Sequence, residues 1–445
     1  MPSRIRLNAA LRLGLPGMGA MLASSLCALL DALLLGKSSA PQAAAVSACL
    51  PVLMVIQTIG FTLGTGAGSH VSRSLGGGNK ASAAQAAQAA LRLSLLASIP
   101  LCAAGLLWRM PLVRLLGTNG DAANHAAAYA LYVMISGPLL CMNLVLSSLL
   151  RGVGRMNAYL TAYVSGAALG AALQFALIGR MGVSGSGIAT LARESLTLSI
   201  LIFHARRGES FLLPRMRRVP RSAFSDIMRS GLPVLVRQGL TGISAALSAR
   251  TAARFSEAAL AGTGLAARAV MLVTSAVIGF SQGFQPIIGR AAGQGDMENA
   301  RKSGRMLLAY VLISLLVTGA AVFLLAPRLL APFEPEAAVM GIAVQALRAQ
   351  SAVFFAQGAV VAMTTLTQAL GMTVRGSLVA ASRQGFILIP LLLVLPRLFG
   401  LTGLILSPAA SDVLSLILCL MITAPALRCS SCAPCGCSDA QKASQ

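Results

Sequence analysis

The chain has 445 residues, 56% of them hydrophobic and 11% charged, with a formal net charge of +23 and a mean hydropathy of +0.78. Soluble proteins carry roughly 25% charged residues, so the two or three water-exposed domains this length would otherwise suggest lack the polar surface to cover them. Nucleic-acid binding is excluded as the source of the positive charge: only 4% of residues are aromatic, and the basic residues gather in short loops, not on a face interleaved with stacking rings.

Twelve apolar segments follow one another, each near the roughly 20 residues that a bilayer-crossing helix needs. They are expected at 13–36, 45–68, 86–108, 126–150, 157–179, 184–205, 230–253, 261–288, 305–326, 340–369, 378–397 and 402–424. Many are rich in Ala and Gly, which allows close helix approach inside a membrane bundle. Arg4, Arg6 and Arg12 before an apolar run imitate a signal peptide, but the eleven later segments argue for an uncleaved first helix. About 20 basic residues fall in alternate loops, among them Arg73, Lys80, Arg155 and Arg290, against about 7 in the others. By the positive-inside rule both termini are expected in the cytoplasm of a bacterial inner membrane.

The chain also repeats itself. Gly14-Leu15-Pro16 matches Gly231-Leu232-Pro233 at an offset of 217 (231 − 14). The same offset relates Gly76, Gly78 and Asn79 to Gly293, Gly295 and Asp296, and Gly154 to Gly371. Met181 to Gly185 resembles Phe399 to Gly403 at 218, and Gly60-Phe61 aligns with Gly279-Phe280 at 219. The predicted organisation is an N-terminal lobe of six helices over 1–205, a basic linker over 206–229, a second six-helix lobe over 230–427 and a disordered cytoplasmic tail over 428–445. Parallel six-helix halves are an architecture of alternating-access transporters, with the substrate path between them.

Four motifs then stand in order: Leu29-Leu30-Asp31-Ala32-Leu33-Leu34-Leu35-Gly36; Ser72-Arg73-Ser74-Leu75-Gly76-Gly77-Gly78; Gly279-Phe280-Ser281-Gln282-Gly283-Phe284-Gln285-Pro286; and Ser382-Arg383-Gln384 followed by Ser407-Pro408 and Ser411-Asp412. With them the chain resembles the multidrug and toxic compound extrusion (MATE) family over nearly its whole length, within the DinF-like and MepA-like bacterial branch. The resemblance implies an all-α membrane protein whose twelve helices form two pseudo-symmetric six-helix lobes in a V. It also implies export of amphipathic cations, drugs or metabolites, in antiport with H⁺ or, less in keeping with this sequence, Na⁺. No cofactor beyond the coupling ion, no enzymatic activity and a monomer in the lipid bilayer are expected.

Carboxylates inside a membrane are costly and mark function. Burial favours the neutral form, so such a group takes a proton when dry and releases it when wet. Only 12 residues are acidic. Asp31 matches the family aspartate implied in cation coupling; its plainer reading is a helix-end carboxylate near Lys37. Many members carry a second acid in the fifth span, where this chain has Gln174, an amide that can ligate but carries no charge. Glu194 beside Arg193 either replaces that acid or forms a buried ion pair, and Thr190 is a further candidate for the same cluster. In the second lobe Arg237, Gln238 and Gln357 stand on helices where some members have acids. With Gln282, Gln285, Arg383, Gln384 and Asp412 they are assigned to the substrate path or to lobe packing, Asp412 to packing near Pro408.

Two other functions compete. A lipid-linked saccharide flippase would share the repeat, and an intramembrane serine protease could use Gly185-Ser186-Gly187. Cys429, Cys432, Cys435 and Cys437 in the tail could bind Zn²⁺ or an iron–sulfur cluster. Their spacing is too tight for an ordinary two-knuckle zinc site, so a reduced tail with no metal is expected.

Overall fold

A computed structural model describes residues 3–38, 40–115, 121–208, 210–213, 220–333 and 336–428. The tail cysteines lie outside the described residues, which contain helices and turns and no strand. The first lobe comprises α1 (Ser3–Ser38), α2 (Ala40–Gly76), α3 (Lys80–Leu107), the short α4 (Arg109–Leu115), α5 (Asp121–Val153), α6 (Met156–Met181) and α7 (Val183–Gly208). The second comprises α8 (Arg221–Ala253), α9 (Glu257–Gly293), α10 (Met297–Leu330), α11 (Ala337–Ser351), α12 (Phe354–Ala369), α13 (Thr373–Ala381) and α14 (Leu388–Arg428). A π-helical turn, Ser382–Phe386, joins α13 to α14.

Length and apolarity alone mark nine membrane-crossing helices among the described residues, or ten if a bent pair counts as one span. Three features reconcile this with twelve. The helix expected at 340–369 is broken into α11 and α12, which meet at 54°. The bend falls at Ala352 and Val353, neither Pro nor Gly, so no sequence signal marks it. Next, the apolar run Val374–Ile422 folds back at Gly400, whose φ of 59° and ψ of −137° are non-helical, so it holds two spans, one from α13 through the π-helical turn to residue 399 and one over 401–428. Finally, α8 has 33 residues, enough to cross, but Asp226, Arg229, Arg237 and Arg250 depress its apolarity. It begins at Arg221, inside the segment read as a linker.

The glycine repeat is a repeat of helix ends. Gly78 and Gly295 have φ of 78°, Gly154 and Gly371 have 88° and 79°, and Gly182 and Gly400 have 55° and 59°. Where α5 ends, Arg155 N bonds to Leu150 O and Gly154 N to Arg151 O; where α12 ends, Met372 N bonds to Thr367 O and Gly371 N to Gln368 O. This is the pattern that closes a helix through a left-handed residue, which glycine adopts without Cβ strain. The helices that follow Gly78 and Gly295, α3 and α10, are capped alike: Asn79 accepts from Ser82 N, and Asp296 from Asn299 N, both at 2.9 Å. The 219 pairing does not describe equivalent sites: Gly60 faces Leu144 inside its own lobe, whereas Gly279 faces Gly17 of the other.

The lobes meet along α1 and α2 on one side and α8 and α9 on the other. Gly283 packs on Gly14, and by the same 217 offset Gly66 packs on Gly231. Ser72 and Gly289, themselves equivalents, touch each other, and Ser72 Oγ donates to Pro286 O at 3.2 Å. Two equivalent arginines complete the seal. Arg73 donates to the carbonyls of Gln368 and Ala369 at the end of α12, at 3.1 and 3.4 Å, and Arg290 donates to the carbonyl of Val153 at the end of α5. Cations suit helix C-termini, where carbonyls lack intrahelical partners. These contacts run from the Gly76 and Gly293 end inward to Gly17 and Thr62, about 20 Å of helix. The interlobe contacts named above lie at this end of the bundle.

Candidate functional site

In the first lobe a polar cluster sits beyond the seal. Asp31 lies on α1, about 20 Å of helix past Gly17, and Ser186 Oγ of α7 donates to its Oδ1 at 2.6 Å. Close packing makes that bond reachable. A Cβ on Gly187 would strike the Tyr132 ring, and one on Gly185 would come within 2.6 Å of the Leu177 carbonyl. The buried Tyr129 of α5 stands beside both Asp31 and Ser186.

Two turns along α7, Arg193 and Glu194 form an ion pair at 2.7 Å. Asn143 of α5 donates to Glu194 Oε2 at 2.8 Å and to its main-chain carbonyl at 2.9 Å, so both carboxylate oxygens are engaged. Gln174, 2% exposed, accepts the weak donor Cys27 Sγ at 3.9 Å. Gly170 makes the room: a Cβ there would meet Arg193 Cδ at 3.1 Å and Cys27 Sγ at 3.2 Å. A cavity of about 20 Å³ between Ser24, Tyr163, Arg193, Glu194 and Thr197 is large enough for one water. Thr190 occupies the turn between Ser186 and Glu194 on the same face of α7.

The structure thus gathers Asp31, Glu194, Gln174 and Thr190 in one lobe interior. It adds Asn143, Tyr129 and Cys27, and it gives Ser186, read from the sequence only as a candidate nucleophile, a place beside Asp31. The usable signal was the i, i+4, i+8 run of Ser186, Thr190 and Glu194. Ser186 Oγ donates to the Asp31 carboxylate and not to a histidine.

The second-lobe candidates divide into three places. Arg383 in the π-helical turn pairs with Asp412 of α14, and Ser411 Oγ donates to the Arg383 carbonyl at 2.8 Å. Arg237 of α8 lies close enough to Arg383 to repel it, and its buried Nε has no hydrogen-bond partner. Ser244 of α8 donates to the Gln384 carbonyl, holding α8 to the same turn; Gln238, also on α8, is half-buried. Gln357 is elsewhere, donating to Thr274 of α9 at 2.8 Å. Gln282 and Gln285 belong to the interlobe seal, flanking Gly283 where it meets α1.

A model of the MatE family matches residues 16–176 and 233–394, one stretch in each lobe and together more than half of the chain. The chain belongs to the MatE family. The multidrug export protein MepA of Staphylococcus saprophyticus subsp. saprophyticus is 22% identical over 382 residues, covering 85% of this chain and 84% of that one. MepA of Staphylococcus aureus is 23% identical over 384 residues, with the same coverage. Among solved structures, a MATE protein in complex with MaL6 superimposes with a TM-score of 0.89 at 23% identity, over 94% of this chain and 96% of that one. An outward-facing multidrug resistance MATE family transporter of the MOP superfamily superimposes equally well, over 94% and 95%. The two-lobe twelve-helix fold is therefore the family's. The MatE segments begin at Pro16 and Pro233, which occupy equivalent positions in α1 and α8.

Proposed function

We propose that this MatE-family chain is a secondary active transporter that exports small amphipathic cations in antiport with protons, by alternating access of the cleft between its lobes. One observation carries the proton assignment. Of the three carboxylates deep inside the spans, Glu194 is matched by Arg193 and Asp412 by Arg383, while Asp31 is held by a hydroxyl. The first-lobe cluster of Asp31, Arg193 and Glu194 carries one net negative charge, which a single proton on Asp31 removes. The donor set suits a proton better than Na⁺. Both Glu194 oxygens are occupied, Asp31 Oδ1 already accepts Ser186, and a fixed guanidinium stands in the same cluster. With both termini in the cytoplasm of a bacterial inner membrane, the seal is cytoplasmic and Asp31 lies in the outer half of the first lobe's interior. Protonation there is coupled to transport if the two conformations bind the proton unequally.

A second reading, a lipid-linked saccharide flippase, draws on Arg237: a buried guanidinium with an unpartnered Nε beside Arg383 suits an anionic group on a substrate. Proteoliposomes decide between them. An imposed pH gradient is expected to drive ethidium transport by the wild type without Na⁺, and Asp31→Asn is expected to abolish it. Wild-type rates in Asp31→Asn, or an absolute need for Na⁺, refute proton coupling at Asp31. Transport of a lipid-linked saccharide with none of ethidium favours the flippase.

A further inference from the structure

A cavity of about 540 Å³ opens where α1, α6 and α7 meet, at the sealed end of the bundle. Arg12, Arg155 and Arg207 line it, and no carboxylate does among the described residues. Three positive charges converging on one cavity repel each other unless an anion joins them. The start of α6 faces the same space. Met156, Asn157 and Ala158 line it, and no side chain caps that helix, so its first N–H groups turn a positive dipole end towards the cavity. Two of the arginines are held in place: Arg155 donates to the His204 carbonyl at 3.1 Å, and the Arg207 guanidinium lies 4.3 Å from the Phe203 ring centre.

The surroundings separate a lipid from a soluble anion. Leu13, Met156 and Phe203 give the cavity apolar walls, and Phe203 is 48% exposed. One turn deeper into the membrane, Leu15 on α1 and Val164 on α6 continue this surface at 51% and 42% exposure. An anionic head with apolar chains leaving sideways matches both halves of the site, and basic pockets between spanning helices are suited to such headgroups.

We propose that this cavity binds the phosphate of an anionic phospholipid, its acyl chains lying along α1 and α6. The cavity also adjoins the seal, because the Arg290 guanidinium stands near the other face of Gly154. A lipid seated here braces α1 against α6 and α7. The inference does not depend on what the protein transports.

The test uses the full chain in a neutral detergent, with binding read by native mass spectrometry and by thermal unfolding midpoint. Phosphatidylglycerol is expected to bind and raise the midpoint, and phosphatidylcholine to do neither. Arg12→Gln combined with Arg207→Gln is expected to weaken phosphatidylglycerol binding roughly 30-fold, given about fivefold for each basic residue. Arg12→Lys with Arg207→Lys is expected to keep most of it, which guards against a merely misfolded variant. Lys302→Gln with Arg305→Gln, neutralising the same end outside the cavity, is expected to leave binding unchanged. Equal binding of the two lipids, no loss in the glutamine pair, or displacement of the lipid by millimolar glycerol phosphate would each overturn the proposal, the last by showing a soluble-anion site.

Discussion

Ser186 is the residue on which the Asp31 site turns. It is fully buried, it spends its proton on Asp31, and Gly185 and Gly187 flank it so that α7 can approach its neighbours. Hydrogen bonds to charged groups are worth about 1.5–3 kcal/mol. Ser186→Ala is therefore expected to leave the fold intact but to alter the ionised form of Asp31 selectively. The reading is a pH profile of proton-driven transport displaced from wild type, with Ser186→Thr restoring it; an unchanged profile in Ser186→Ala would separate Ser186 from coupling. Asp31 was legible in the sequence because an intramembrane carboxylate is rare. Ser186 was not, since a serine among small residues in an apolar helix is ordinary until the fold brings it to a carboxylate 155 positions away. The acids Glu194 and Asp412 were equally visible; the sequence already offered the Arg193–Glu194 ion pair as one reading, whereas the pairing of Asp412 with Arg383, 29 positions off, emerges only from the fold. Removing one partner of such a pair strands a buried charge, whereas replacing both with apolar groups is often tolerated. Their buried state is thus consistent with lobe architecture as well as with transport.

At the scale of the element, the helix ends were written most clearly. Asn79 and Asp296, paired in the sequence only by the repeat, are both caps, and the paired glycines at 154 and 371 mark the same left-handed closure. The broken tenth span was hidden, because Ala352 and Val353 carry no breaker signal and the bend is set by packing. Gly400 offers a clean contrast with Gly341. Neither has an atom within 4 Å of a built Cβ, but only Gly400 has a positive φ. Substitution by Ala at Gly400 should therefore cost backbone strain alone, about 1–3 kcal/mol. The same change at Gly341, in the exposed interior of α11, should be neutral or stabilising by about 0.5–1 kcal/mol. Thermal unfolding in detergent should lower the midpoint for Gly400→Ala and hold or raise it for Gly341→Ala. Equal losses would mean that the fold-back of α14 is not maintained by the glycine.

For the whole molecule, the 217-residue offset is a statement about mechanism. Twofold-equivalent glycines meet across the seal, Gly283 on Gly14 and Gly66 on Gly231, and equivalent arginines each cap a helix of the opposite lobe. The contact combines backbone proximity and carbonyl bonds with an apolar patch in which Ala223, Phe224 and Ile227 of α8 pack into the core of the first lobe, so opening has to release these side chains. A Cβ on Gly283 would come within 2.6 Å of the Gly14 Cα and the Leu13 carbonyl, and one on Gly66 within 2.9 Å of the Gly231 nitrogen. These are backbone atoms of packed helices and cannot yield as a flexible side chain would. Gly283→Val and Gly66→Val should each disfavour the sealed state, and pseudo-symmetry demands that they do so alike. Spin labels at Lys80 and Gln294, both exposed, measure the separation of the lobes at that end. Each valine variant should shift the distance distribution to longer values, and Arg73→Ala with Arg290→Ala should do so more weakly, since each guanidinium contributes only a few hydrogen bonds of about 1 kcal/mol net. If one glycine variant opened the seal and its equivalent did not, the two halves would not be working as mirror parts of one gate, and alternating access would have to be driven from a single lobe.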